Sequence, residues 1–184
     1  MTGAGLDALA AAAGSGDAAA MNALLDRVRP VVLRTCARFL EVPEDVEDAA
    51  QEALLRIAGT LADRPRAESF RAWMYPVVVN AARQRFRVVH RAEVAGVVPG
   101  DLVDPRRTSA IAGSRLDLLS ALERLHVRQP RLAEALVYRD MCKLGYEEIA
   151  DVLGVPLSTV KSRIHDARKH MRADLDLTDT APPS

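Results

Sequence analysis

Aromatic residues are scarce in this chain: three phenylalanines, three tyrosines and one tryptophan make up 4% of it. That shortage favours helical packing through Ala, Leu and Val over an aromatic-rich sheet. Cysteine is nearly absent as well. Cys36 and Cys142 lie far apart in apolar helical contexts, so no disulfide framework is expected, and no Cys/His cluster has metal-site spacing. Each cysteine reads as a small buried side chain. Net charge is missing too, since 25 acidic residues cancel 25 basic ones. Nucleic-acid binders are commonly more basic than this, so any attraction to a polyanion has to come from local fields. No window of eighteen apolar residues exists, and the run Val77, Val78, Val79 is too short to cross a bilayer. The N-terminus lacks the charged and apolar segments of a signal peptide. A cytoplasmic protein without membrane insertion is therefore expected. No glycine-rich phosphate loop follows a strand pattern. The four histidines, at 90, 126, 165 and 170, form no nucleophile–base or metal signature with the cysteines. No enzymatic activity, catalytic residue, metal or cofactor is expected.

What the chain does have is helical periodicity, and the expected fold class is all-α, with two small helical domains joined by a flexible linker. The Gly/Ala-rich stretch Met1 to Gly16 is expected to fray at its start. Asp17 can cap a helix carrying Met21, Leu24, Leu25 and Val28 on one side. Pro30 is expected to kink that helix or begin a new turn. Pro43 precedes the acidic segment Glu44, Asp45, Glu47 and Asp48, whose charge suits a helix N-terminus. That helix runs on through Leu54, Leu55, Ile57 and Leu61 to a break at Pro65. Ser69 can cap the next, which begins at Phe70 and turns Trp73, Met74, Val77 and Val78 toward a core, with Pro76 as its irregularity. Four arginines and no acid then fill Arg83 to Arg91.

Gly96, Pro99, Gly100, Pro105 and Gly113 make the span Ala95 to Gly113 read as an interdomain linker. Beyond it, Leu116, Leu119, Leu122 and Leu125 form a helical stripe. Pro130 opens a helix with Leu132, Leu136, Val137 and Met141, and two short helices flank the turn from Gly154 to Pro156. From Asp174 on, acids and the closing prolines suggest a solvent-exposed, disordered tail. The expected boundaries are residues 17–91 for the first domain, 92–113 for the linker, 114–175 for the second domain and 176–184 for the tail.

The sharpest local signal is YEEIADVLGVPLSTVKSRIHDARKHMRADL, Tyr146 to Leu175. Ile149, Ala150 and Leu153 give a short helix an apolar side, Gly154 can stop it in the left-handed conformation, and Pro156 presets the next start. Val160, Ile164, Ala167 and Met171 then recur at inward-facing spacing on a second helix. Its other faces carry Ser158, Thr159, Lys161, Ser162, Arg163, His165, Arg168, Lys169 and Arg172. Between Lys161 and Arg172 five basic residues stand against one acid, Asp166. A helix with one apolar stripe and hydroxyl-bearing, basic remaining faces suits the major groove of duplex DNA. Its N-terminal residues would approach base edges and Arg168, Lys169 and Arg172 the phosphates. The bland reading, a helical hairpin whose basic side merely faces solvent, stays open at this level.

Three strings together resemble a bacterial sigma factor of the extracytoplasmic-function (ECF) type, in the sigma-70 superfamily. DVEDAAQEALLRI at Asp45 to Ile57 and FRAWMYPVVVNAARQRFR at Phe70 to Arg87 resemble its region 2. ALVYRDMCKLGYEEIADVLGVPLSTVKSRIHDARKHM, ending at Met171, resembles its region 4. The resemblance covers roughly residues 17 to 175. It implies a transcription initiation factor that binds core RNA polymerase, recognises promoter DNA and assists strand opening, and it admits an inhibitory anti-sigma partner. It assigns polymerase binding to Asp45, Glu47, Asp48, Gln51 and Glu52. The downstream promoter element falls to Asn80, Arg83, Arg85 and Arg87. The upstream element falls to Ser158, Thr159, Lys161, Ser162, Arg163, Arg168, Lys169 and Arg172. Trp73 is expected to pack in the core more than to stack on a flipped base. Asp166, the His126–Val127 pair and Pro76 depart from the family's usual pattern. A helix-turn-helix regulator that never joins polymerase is the competing reading.

Overall fold

The computed structural model describes residues 3–65, 69–94 and 110–179. All its regular structure is helical, in the order α1 Gly3–Gly14, α2 Ala18–Cys36, α3 Pro43–Thr60, a 3-10 turn Leu61–Asp63, and α4 Phe70–Val94. After the undescribed stretch come α5 Ala110–Arg128, α6 Pro130–Leu136, a π-turn Val137–Met141, α7 Tyr146–Leu153 and α8 Leu157–Asp179. The chain divides into two compact units, Met1–Gly96 and Val97–Ser184. Most of the expected linker, residues 95–109, lies outside the described residues, as do 180–184 at the end of the expected tail.

In the first unit Asp17 caps α2: its carboxylate accepts from the backbone N–H groups of Ala19 and Ala20. The spacing of Leu24, Val28, Val32 and Cys36 turns these side chains into a core shared with Ile57 of α3 and Phe70, Met74 and Val78 of α4. Burial pushes the Cys36 thiol up to about 12, so it is an inert core group rather than a nucleophile. Pro43 opens α3, where its missing N–H is no loss. Neither Pro30 nor Pro76 ends its helix; α2 and α4 each run through the proline. Of the Gly/Ala-rich start, the leading residues Met1 and Thr2, where fraying was expected, lie outside the described residues, and helix α1 runs from Gly3. It buries Leu6, Ala10 and Ala13, because small side chains let a helix approach its neighbours closely.

The second unit is built on α8. Val160, Ile164, Ala167 and Met171 are all buried, as their spacing requires, against Leu119, Leu122 and Leu125 of α5, Ala133 and Leu136 of α6 and Ile149 of α7. Gly154 takes φ +61° and closes α7 as expected, and Glu148 caps the same helix from within by accepting from the Gly145 N–H at 2.9 Å. Two expectations need correction. The helix after the turn is long, 23 residues, and it carries Asp174 inside it rather than in a solvent-exposed tail. The reason is electrostatic: Asp174 accepts from Arg124 Nε of α5 at 2.9 Å and pairs with Arg128 at 3.3 Å. The Arg124 hydrogen bond, with help from both arginine charges, holds its carboxyl below the usual range.

Candidate functional site

Three groups of residues are expected to act, two in the first unit and one in the second. On α3, Asp45, Glu47, Asp48, Gln51 and Glu52 lie along the N-terminal half of the helix, with Glu47, Asp48, Gln51 and Glu52 exposed and Asp45 half-buried. Each of the four acids among them lies beside an arginine of α2, α3 or α4. Asp45 accepts from Arg85 Nε at 2.8 Å and Nη2 at 2.5 Å, and the same Nη2 lies 3.1 Å from Asp48. Glu52 pairs with Arg56 at 2.6 Å, and Arg56 also donates to Gln84 at 3.2 Å. Glu47 lies 3.7 Å from Arg29 of α2. Asp48, Glu52, Gln84, Arg85 and Val88 line a shallow groove of about 270 Å³ between α3 and α4.

Helix α4 therefore treats its four expected DNA-facing residues differently. Asn80 and Arg87 are exposed. Arg85 is turned onto α3 by its pairing with Asp45. Arg83 is buried, only 5% exposed, and so departs from the expectation that it meets DNA at the surface. The cause is the helical period: Arg83 shares the inward side of α4 with Val79 and Phe86, four and three positions away. Trp73 is half-buried, its ring 6.0 Å from that of Phe70.

On α8, Ser158, Lys161, Ser162, Arg168, Lys169 and Arg172 are exposed, and Thr159 and Arg163 are half-buried. The Ser162 hydroxyl donates to the Thr159 carbonyl at 3.0 Å, leaving its oxygen as an outward acceptor. Lys161, His165, Arg168, Lys169 and Arg172 line one concave surface with Tyr146, a cleft of about 780 Å³. Asp166 is two residues from Arg168 and so stands on nearly the opposite side of the helix. Lys169 of the cleft, three positions beyond Asp166, stands on the same side of the helix as that acid.

Tyr146, His165 and Asp140 are not among the residues expected from the sequence to act. Asp140 sits in the π-turn and receives Arg168 Nη2 at 2.8 Å and Nε at 3.4 Å. The hydrogen bond to Asp140, chiefly, raises the Arg168 pKa, and the nearby Tyr146 adds to it. Arg139, next to Asp140, donates to the Leu144 carbonyl at 2.8 Å and lies 4.7 Å over the Tyr146 ring. The histidine was visible in the basic stretch. Asp140 gave no signal, because 28 positions separate it from Arg168 and no periodicity links them.

Known proteins share this arrangement. The pattern described as Sigma-70 region 2 matches residues 24–92, and that described as Sigma-70, region 4 matches residues 115–171. The ECF RNA polymerase sigma factor SigE of Mycolicibacterium smegmatis is 33% identical over 169 residues; the match takes in 86% of this chain and 63% of SigE. The RNA polymerase sigma factor CnrH of Cupriavidus metallidurans is 32% identical over 181 residues, covering 91% of this chain and 93% of CnrH. The solved structure of CnrH in complex with the cytosolic domain of CnrY shares the fold, with a TM-score of 0.58 at 24% identity over 93% of this chain and 97% of that one. Two region patterns matched in order, and a relative aligned along most of both chains, lead to one conclusion: the chain belongs to the ECF sigma factors of the sigma-70 superfamily.

Proposed function

We propose that this protein is a promoter-selecting subunit of bacterial RNA polymerase, docking on the core enzyme through α3 and reading promoter DNA through α4 and α8. Family membership supports the general role. The observation that carries the site reading is α8 itself: a fully buried apolar stripe holds the helix, and the opposite surfaces present Ser158, Lys161, Ser162 and a basic cleft. Hydroxyl and amino groups at the N-terminal end have the chemistry to reach base edges, and the cations further along to neutralise phosphates. On α3, exposed Glu47, Asp48, Gln51 and Glu52 offer an anionic surface to a basic helical partner. On α4, Asn80 and Arg87 remain the exposed candidates for the downstream element. Arg85 enters this reading as the residue that ties the two surfaces together. An inhibitory anti-sigma protein completes the proposed set of partners.

The test is co-purification with core RNA polymerase, then mapping of transcription starts after controlled expression in the source bacterium and run-off transcription from the starts found. Binding to core together with new, promoter-specific starts is the expected result. A chain that binds duplex DNA yet neither joins core nor changes promoter choice is a helix-turn-helix regulator instead, and the proposal fails.

A further inference from the structure

Arg168 belongs by position to the basic cleft of α8, yet its guanidinium is already engaged. Two of its nitrogens face the two carboxylate oxygens of Asp140, at 2.8 and 3.4 Å, the fork-to-fork geometry that a phosphate would otherwise use. Asp140 is held in place by its surroundings. It lies in a single π-turn, an irregularity often found at functional positions. The chain then passes through Lys143 at φ +59°, a left-handed conformation uncommon for a lysine. Its neighbour Arg139 is fastened to the Leu144 carbonyl and stacked over Tyr146. The pair is also open to solvent, with 45% of the Arg168 side chain and 42% of the Asp140 side chain exposed, so it owes little to burial and stands where an incoming anion would compete.

The position of Arg168 along α8 sharpens this. It lies eleven residues beyond Leu157, about 16 Å along the axis at 1.5 Å per residue. A major groove is about 12 Å wide. With the N-terminal end of α8 at the base edges, Arg168 stands at the phosphate rim.

We propose that Asp140 sets the DNA affinity of the second unit by occupying Arg168, so that this arginine positions α8 against the π-turn and makes no phosphate contact. This rests on the reading of α8 as the DNA-facing helix. The consequence is low affinity for random sequence. One rim contact stays closed while Lys161 and Ser162 remain available to bases, in keeping with a chain whose charges cancel overall.

The experiment uses the full chain and a random-sequence duplex of about 30 base pairs over a salt series, with the Arg168 Nε–H followed by NMR. In the parent protein that signal is expected to stay in place at saturating duplex. In Asp140→Asn it moves on adding DNA, affinity rises about three- to tenfold, and the dependence of log K on log salt steepens by about 0.9, as one added phosphate contact requires. The double variant Asp140→Asn/Arg168→Gln, with both charges gone, binds within about twofold of the parent at an unchanged slope. Circular dichroism melting confirms that each variant is folded, and Arg168→Lys with Asp140→Asn serves as a second, conservative pair. A parent Arg168 signal that moves with DNA, or a double variant that loses affinity and slope, overturns the proposal. Lys161→Gln separates this failure from a wrong site reading. If it weakens binding while Asp140→Asn changes nothing, α8 faces DNA and the Asp140 proposal alone is lost; if neither matters, both are lost.

Discussion

The backbone N–H of Phe70 donates to the Asp7 carboxylate at 2.6 Å, across 63 positions of the chain. Phe70 is the first residue of α4, whose leading N–H groups have no partner within the helix. Ser69 satisfies the Ala72 N–H at 3.2 Å, and Asp7 of α1 satisfies Phe70 from outside. The helix expected to carry Asn80 and Arg87 to DNA is thus seated by a residue from the chain's first turns.

Asp7→Ala is expected to destabilise the first unit by about 1 kcal/mol, the usual worth of a helix cap. In a unit of this size that lowers the melting temperature by roughly 4–8 °C. Thermal unfolding by circular dichroism checks it. An unchanged midpoint would mean that water serves Phe70 as well as Asp7 does.

Asp45 and Glu47 stand two residues apart on α3 and are expected to respond differently. Asp45 is half-buried and bound twice by Arg85, so Asp45→Asn leaves Arg85 with Asp48 as its one carboxylate and costs about 1 kcal/mol of folding stability. Glu47 is exposed and only loosely paired at 3.7 Å, so Glu47→Gln leaves the midpoint where it is. If α3 is the polymerase-facing surface, both substitutions weaken core binding. Equal core affinity for Glu47→Gln and Glu52→Gln at moderate salt would remove α3 from the interface.

Lys161 and Lys169 offer a contrast on α8. Replacing Lys169 by Gln is expected to weaken all duplexes by a similar factor and to flatten the salt dependence by about 0.9 if it neutralises one phosphate. Replacing Lys161 by Ala is expected to change the ranking of sequences, by about 1–3 kcal/mol at the base it reads. Paired measurements on promoter and random duplexes, in the complex with core polymerase, distinguish these outcomes. A Lys161 variant that weakens promoter and random DNA equally would reassign that residue to the phosphates.

Val160→Asp probes the fold and not the DNA surface. Val160 is fully buried, and a carboxylate there has no partner to offset its desolvation, so loss of the second unit's cooperative unfolding is expected. Heteronuclear NMR would read the collapse of that unit's dispersion. A folded Val160→Asp protein would show that α8 can leave its seat.

Acid should act on the second unit partly through Asp174. Its carboxyl is held below the usual range chiefly by the Arg124 hydrogen bond, so its contribution is full above the ordinary carboxylate value of about 4 and disappears as pH falls through the lowered folded value. Asp174→Asn should therefore be less stable than the parent at neutral pH, and the two melting curves should converge below about pH 4. A constant gap down to pH 2 would mean that the carboxylate charge is not what α5 holds.

The sequence by itself determined the elements whose cause is local. Helical periodicity placed Val160, Ile164, Ala167 and Met171 on one buried stripe. Asp17, Ser69, Pro43 and Gly154 marked helix ends through hydrogen bonds or dihedrals that reach no further than four residues. Family strings supplied the candidate surfaces. Tertiary structure alone decided which side each charge took. Arg83 became core and Arg85 a tie to Asp45, although the sequence shows them as two members of one basic cluster, because α4 turns about 200° between them at 3.6 residues per turn. Asp174 joined a helix because Arg124, fifty positions away, faced it. Asp7 and Asp140 acquired partners 63 and 28 positions distant. Periodicity records which residues share a face of one helix; it carries no record of what the next helix brings against that face, and for a charged side chain the partner brought there decides whether it holds the fold or remains available to DNA.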